Sequence, residues 1–172
     1  TTWTAENCRY PVRKTQENGD DRTRPANIII TCTDNTRSRL ELWRLLKKYR
    51  EASVNNERAV YYWMDFGNAQ TTGQIVIGTV RNKIRQPASK EFMPVPGMNV
   101  ITEEVNYSTI EEKDSGPSCS LAEALERQDL YINSILAQVG CDILWRMFKE
   151  GRTLYRGAYI KLDTLRVNPI PV

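Results

Sequence analysis

The stretch Asn27–Asn35, N-I-I-I-T-C-T-D-N, decides the fold expected of this chain. Its β-branched part, Asn27–Cys32, is short and bounded by turn-forming residues, which predicts a strand buried on both faces. Apolar residues then recur every three or four positions over Leu40–Tyr49, so a helix follows the strand. Asp34 therefore lies between the carboxyl end of a strand and the start of a helix. In open α/β sheets, that edge is where ligands bind.

Later segments extend this pattern to the second half of an α/β sheet. Ala59–Met64 and Gly73–Val80 are apolar runs joined by a short loop. They are predicted to be antiparallel neighbours, because a parallel pair needs a crossover of about a dozen residues. A long helix is expected to start at Ser120, with a capping box completed by Glu123, and to end at Gly151.

We expect residues 1–172 to form one α/β domain. Its expected parts are an irregular segment (1–25), a strand-helix-strand-strand unit (26–80), a long loop (81–118), and the long helix with a terminal strand pair (119–172). The terminal strands are predicted at 158–162 and 164–167, with Pro169 and Pro171 ending the ordered chain. A loop as long as 81–118 in a compact domain is usually functional or disordered.

Composition excludes several classes of site. The chain has no histidine, and its cysteines show neither C-x-x-C spacing nor a disulfide framework. We therefore expect no Cys/His zinc site and no Ser-His or Cys-His catalytic pair. No apolar run has the length of a membrane span and residues 1–25 lack a signal-peptide core, so a cytoplasmic protein with reduced thiols and no membrane partner is expected.

Charge is unevenly distributed along the chain. Residues 1–50 carry 11 basic and 6 acidic side chains, a local net charge of +5 compared with +3 for the whole chain. This basic third suits phosphates or an acidic protein surface. It contains no block of consecutive like charges, so nucleic acid is not expected as a partner.

Asp34 and Arg39 are candidates for chemistry, and each has a simpler interpretation. The Asp34 carboxylate can hold magnesium while neighbouring amides approach phosphate, but Asp is also a common helix N-cap. Arg39 lies one helical turn after Asn35, where a guanidinium either reaches an ATP phosphate or a carboxylate, or lies on a solvated helix face. Asp65–Asn68 belongs either to the same crevice or to a turn, and we favour the turn.

The cysteines differ in their expected surroundings. Cys119 lies at the end of the long loop, just before the capped helix, where amides stabilise a thiolate. It is either a reactive thiol or an ordinary loop cysteine. Cys32 and Cys141 are expected in the core, because free cysteine is among the most buried residue types. Cys8 is uninformative.

The same segments resemble a known family. Thr33-Asp34-Asn35 with Arg39 resembles the D-N-x-x-x-R motif of the ThiF/MoeB/HesA adenylating enzymes, which activate ubiquitin-like proteins. Met64–Asn68 followed by Thr72–Gln74 is similar to the strand pair after that motif. Pro117–Ala124 and the C-terminal ending are similar to the ThiF-related proteins of PRTRC systems. The resemblance covers nearly the whole chain.

This resemblance implies the C-terminal half of a Rossmann-like mixed sheet and an enzyme that uses ATP and Mg²⁺. The reaction would activate the C-terminal carboxylate of a small ubiquitin-like protein and release pyrophosphate. Asp34 would bind magnesium and the ATP phosphates, with Asn35 and Arg39 shaping the same pocket. Cys119 would receive the acyl group as a thioester. The family tends to dimerise, so a homodimer is expected.

One part of the family pattern has no counterpart in this sequence. The phosphate-cradling G-x-G-G-x-G turn is absent, since Gly19 is the only glycine before Gly67. Two functions therefore stay open. The first is the C-terminal portion of an adenylyltransferase whose glycine-rich half lies elsewhere. The second is a non-catalytic, ThiF-like protein-binding module without the ATP-binding half.

Overall fold

A computed structural model describes residues 13–17, 20–24, 27–33, 35–50, 60–81, 84, 88–93, 95, 97–107 and 129–172. Within these residues, no helix has the length and apolar composition needed to cross a membrane.

The main sheet of the described chain has five strands in sequence order. They are β3 (Ile28–Thr31), β4 (Tyr62–Asn68), β5 (Thr72–Thr79), β6 (Tyr155–Lys161) and β7 (Arg166–Pro171). β3 and β4 are parallel, and every later pair is antiparallel. The fold is therefore an α/β fold with an open mixed sheet, as the sequence predicts, and the expected antiparallel pairing of the second and third strands is confirmed.

Helices cover both faces of this sheet. α1 (Thr36–Arg50) and the single-turn α2 (Ile101–Glu104) pack on one face, and α3 (Ile132–Glu150) packs on the other. Side chains alternate between the faces of a strand, so β4 places Trp63 in the α1 layer and Met64 in the α3 layer. Both side chains are fully buried.

The first strand is at the edge of the sheet and is not buried on both faces as expected. Ile29 is buried against α1, but the Ile30 side chain is 53% exposed on the opposite face. β3 pairs only with β4 among the described strands, so its second edge, called the open edge below, has no partner within the described residues. A run of β-branched residues indicates a strand, but it does not show whether a neighbouring strand lies on each side.

The N-terminal segment was expected to be irregular, and this expectation is wrong for residues 13–17 and 20–24. β1 (Arg13–Glu17) and β2 (Asp20–Arg24) form an antiparallel pair with Glu17 opposite Asp20. These strands lack alternating apolar residues, so periodicity did not reveal them. The available sequence signal was Asn18-Gly19, a dipeptide typical of two-residue hairpin loops.

The expected long loop and long helix also need correction. The loop region 81–118 contains α2 and the core residues Val100 and Ile101. The last helix begins at Ile132 rather than near Ser120, because residues 129–131 are not helical. Ser120 and Glu123 lie outside the described residues. The C-terminus of the helix is as predicted, since Gly151 has a left-handed backbone with φ of 68°.

The terminal strand pair is present but longer than expected. β6 begins three residues before the first predicted strand, β7 ends four residues after the second, and Pro169 and Pro171 lie within β7 instead of ending the ordered chain. Proline is tolerated there because β7 is an edge strand of the sheet, where one row of N–H groups is not needed for pairing.

Candidate functional site

The carboxyl ends of the parallel strands β3 and β4 lie side by side. Thr31, the last residue of β3, is in register with Asp65 of β4. Thr33 and Asn35 follow β3 and lead into α1. Asp34 lies between them in the sequence but outside the described residues. Only the residues on either side of it are described.

Asn35 is the N-cap of α1. Its side-chain Oδ1 accepts a hydrogen bond from the backbone N–H of Ser38 at 2.7 Å, and the helix begins at Thr36. The sequence placed Asp34 at the capping position, and the structure assigns that position to Asn35.

Arg39 is buried beneath this turn, with 6% of its surface exposed. Its Nε donates to Oδ2 of Asp65 at 2.8 Å, and its Nη2 donates to the backbone carbonyls of Thr33 at 2.6 Å and Phe66 at 2.9 Å. Arg39 is therefore not on a solvated helix face, one of the alternatives left open by the sequence. It contacts a carboxylate of its own chain and joins the ends of β3 and β4.

Asp65 is fully buried within β4 and does not belong to a turn, contrary to the interpretation favoured from the sequence. Its Oδ1 accepts a hydrogen bond from the Thr31 hydroxyl at 2.6 Å, and that hydroxyl accepts one from Nε1 of Trp63 at 2.7 Å. Burial raises the pKa of Asp65 above its ordinary value, against the opposing effects of the Arg39 charge and the Thr31 hydrogen bond. We refer to Thr31, Arg39, Trp63 and Asp65 as the strand-end network.

Gly67 and Tyr107 enclose the Arg39 guanidinium. A Cβ atom at Gly67 would lie 2.9 Å from Nη2 of Arg39, so a larger residue would push on this group. The guanidinium carbon lies 5.7 Å from the Tyr107 ring centroid, and Nε2 of Gln74 donates to the Tyr107 hydroxyl at 2.8 Å. Burial raises the pKa of Tyr107, and the Arg39 charge opposes this rise.

A cavity of about 500 Å³ lies beside the turn on the α3 face of the sheet. Ile30, Phe66 and Leu136 contribute to its mainly apolar lining. Thr33 also lines it, and the buried Oγ1 of Thr33 has no hydrogen-bond partner among the described residues. A ligand with a polar group could satisfy this oxygen, because a buried hydroxyl without a partner is energetically costly.

Cys32 and Cys141 line this cavity from the sheet and from α3 respectively. Both are exposed, so the expectation that they are core cysteines is wrong. Their exposure follows from the fold, because β3 is at the open edge of the sheet and the adjoining face of α3 is not covered by another described element. Composition does not reveal which strand occupies the edge.

Cys119 lies outside the described residues, but the residues on either side of its segment are described. The Tyr107 hydroxyl is bonded to Gln74 of β5, and the backbone N–H of Asp129 donates to the carbonyl of Gln70 at 2.7 Å. Tyr107 and Asp129, the described residues on either side of 108–128, therefore both contact the β4–β5 hairpin, Tyr107 from the α1 face of the sheet.

The sequence reasoning missed the role of Asp65. The available signal was a carboxylate within the apolar run Trp63–Phe66, because an aspartate is almost never fully buried unless it is paired. Its ion-pair partner, Arg39, lies 26 positions earlier and was already a candidate because it follows Asn35 by one helical turn. The described residues contain no group of three or more Cys, Asp or Glu side chains that could hold a metal ion.

No curated protein and no protein-family model matches this chain.

Proposed function

We propose that this chain is the C-terminal portion of a ThiF-like adenylyltransferase, similar to the PRTRC system proteins. It would activate the C-terminal carboxylate of a small ubiquitin-like protein with ATP and Mg²⁺. One observation carries the proposal: the turn containing Asp34 is held at both flanks, at the carboxyl end of a parallel strand pair and beside a cavity. This is the edge of an α/β sheet at which ligands bind.

The residues around Asp34 fit one wall of a nucleotide site. Asp34 would supply a carboxylate for Mg²⁺, and the amino end of α1 provides a favourable field for phosphate. Asn35 and Arg39 would shape this wall, since their polar atoms are bonded within the protein. When bound, ATP would supply the adenylyl group.

The opposite wall would come from a glycine-rich unit. The described residues provide no phosphate-cradling loop, and the open edge of β3 is a place where a further parallel strand can pair. The exposed Ile30 and the apolar cavity next to it would be covered by the same unit. We place the activated carboxylate of the protein substrate between this unit and the Asp34 turn.

Cys119 would accept the acyl group from the activated carboxylate. Its sulfur would form a bond to the acyl carbon as the bond from that carbon to AMP breaks, and the thiol proton would pass to solvent. The contacts of Tyr107 and Asp129 with the β4–β5 hairpin support this role, because these two residues flank in sequence the residues that include Cys119.

Pyrophosphate exchange tests the role of Asp34. The full-length gene product would be incubated with ATP, Mg²⁺, labelled pyrophosphate and the ubiquitin-like protein purified from the same cells. Asp34→Ala should abolish label exchange into ATP, because the variant lacks the metal-binding carboxylate. Asp163→Ala, which alters an exposed aspartate beside Lys161, should exchange like wild type. Wild-type exchange by D34A would remove Asp34 from the site.

The thioester step has a separate test. Cys119→Ser should leave pyrophosphate exchange intact and eliminate a thiol-sensitive adduct with the ubiquitin-like protein, detected by mass before and after treatment with an excess of a small thiol, which cleaves a thioester by acyl exchange. Cys141→Ser is the matched control, and its adduct should persist. If the adduct persists in C119S, Cys119 is not the acceptor.

A non-catalytic binding module is the second candidate function. It is favoured by the open β3 edge and the apolar cavity, because an unpaired strand edge and an apolar cavity can receive a polypeptide without ATP. Absence of exchange in the wild-type full-length protein, together with a stable complex with the ubiquitin-like protein, would favour this module over the enzyme. For either function, we further propose a homodimer in the cytoplasm.

A further inference from the structure

One buried guanidinium holds the backbone on both sides of the candidate site. Nη2 of Arg39 donates to the carbonyl of Thr33, after β3, and to the carbonyl of Phe66, within β4. These bonds use both N–H groups of that nitrogen. The Thr33 carbonyl comes directly before Asp34, so the bond fixes the direction in which the chain enters the turn.

The guanidinium is itself oriented by its surroundings. Asp65 accepts the Nε–H and is in turn bonded by the Thr31 hydroxyl, while Tyr107 lies over the guanidinium. Gly67 leaves the space that Nη2 occupies, since a Cβ atom there would lie only 2.9 Å away. The Arg39 side chain is therefore held by its ion pair with Asp65, by its hydrogen bonds to two carbonyls and by the limited space beside Gly67.

The turn is fixed from its other side by a different contact. Asn35 bonds the backbone of Ser38, which anchors the turn to the first residues of α1. Asp34 is thus the single residue between two anchored neighbours. A buried ion pair contributes little net stability compared with apolar residues of similar volume, so its clearest effect here is on geometry.

We propose that Arg39 is a positioning residue that sets the backbone at Thr33, where the turn between β3 and α1 begins, and at Phe66 of β4, with Asp65 and Gly67 holding its guanidinium. Arg39 acts through the Thr33 carbonyl and does not contact the nucleotide. The ligand that the turn receives rests on the proposed function, whereas the control of the turn by Arg39 does not. The sequence unit is accordingly D-N-x-x-x-R together with the D-x-G of Asp65–Gly67.

Arg39→Lys separates positioning from general stability. Lysine keeps a cation for Asp65 but cannot reproduce the planar fork that reaches both carbonyls. In the full-length protein, amide hydrogen exchange over 35–38 should accelerate about tenfold or more, as expected for losing hydrogen bonds from a charged group. Exchange over 132–150 in α3 should not change. Arg37→Lys, two residues earlier on the exposed face of α1, should match wild type in both regions.

Binding of Mg·ATP provides the second readout, measured by calorimetry on the same proteins. The dissociation constant should rise about tenfold or more in R39K and stay unchanged in R37K. Equal exchange in R39K and wild type over 35–38 would overturn the proposal, as would equal acceleration in the turn and in α3. Wild-type affinity for Mg·ATP despite a mobile turn would also overturn it.

Failure of the proposed function has a different signature. If wild type does not bind Mg·ATP but R39K still shows accelerated exchange confined to the turn, the ATP function fails and the positioning role stands. Gly67→Ala covers the case in which R39K does not fold, because the added methyl group pushes on Nη2 and leaves the ion pair chemically intact. It should show the same local acceleration, and wild-type exchange in G67A would contradict the proposal.

Discussion

At the scale of single residues, the ion pair between Arg39 and Asp65 is the main feature of the candidate site. The pair is almost completely buried, and its members lie on different elements, α1 and β4. From the sequence alone, Arg39 was expected either to reach a phosphate or carboxylate or to lie on a solvated helix face. Arg39 is buried because the Asp65 carboxylate of β4 pairs with it, and this contact depends on the tertiary structure.

Breaking this pair should destabilise the protein in a pH-dependent way. Arg39→Met keeps the apolar stem but leaves the Asp65 carboxylate buried without its cation, at a cost of about 3–5 kcal/mol near neutral pH. Urea denaturation measures this free energy. Arg37→Met should cost less than about 1 kcal/mol, because the Arg37–Glu41 pair is exposed.

The pH dependence follows from the pKa of Asp65. Burial raises this pKa, and removing Arg39 removes an influence that lowers it, so the folded-state pKa rises further in R39M. A carboxyl group with a raised folded-state pKa contributes its stability below the unfolded pKa, and that stability is lost as pH rises through the folded pKa. The loss of unfolding free energy in R39M, relative to wild type, should therefore become smaller as the pH falls. A deficit that is constant across pH would contradict this account.

Among the helices and strands, α1 is the one that its sequence pattern predicts most clearly, although the predicted position of its N-cap is wrong. Its apolar spacing predicts the helix correctly, yet the cap is Asn35 and not Asp34. Both residue types are good caps, so sequence spacing does not resolve a shift of one position. The shift matters here because the capping hydrogen bond in the structure is accepted by Asn35.

Asn35→Ala should therefore destabilise α1, by about 0.5–2 kcal/mol in urea denaturation, because the Ser38 amide loses its partner. Asn35→Ser should recover most of this loss, since serine also caps helices. Equal losses in N35A and N35S would show that the hydrogen bond does not stabilise the helix.

Across the entire fold, the pairing of β5 with β6 connects the first half of the chain to its C-terminal third. Gly157 lies in this pairing, opposite Val76, and a Cβ atom there would lie 2.0 Å from the carbonyl oxygen of Ile75. Gly151, at the end of α3, has no atom within 4 Å of such a Cβ, although its φ is positive. Glycine is thus required for space at one position and for backbone angle at the other.

Gly157→Ala should consequently cost more than Gly151→Ala. We expect about 3 kcal/mol for G157A, since the backbone of β5 must move, and about 1 kcal/mol for G151A, where only the backbone angle is strained. Thermal and urea unfolding would measure both values. A loss in G157A no larger than that in G151A would show that the β5–β6 pairing adapts without cost.

Local patterns in the amino-acid sequence specified the α/β class, the β3–α1 succession, the antiparallel β4–β5 pair and the end of α3 at Gly151. These features depend on neighbours within a few positions, such as apolar periodicity, turn residues and loop length. The burial of Asp65 and Arg39, the exposure of Cys32 and Cys141, and the cavity at the open edge of β3 required the assembled sheet. They depend on which strand lies at the edge and which residues meet across 26 or more positions, and chain-local periodicity carries no information about either.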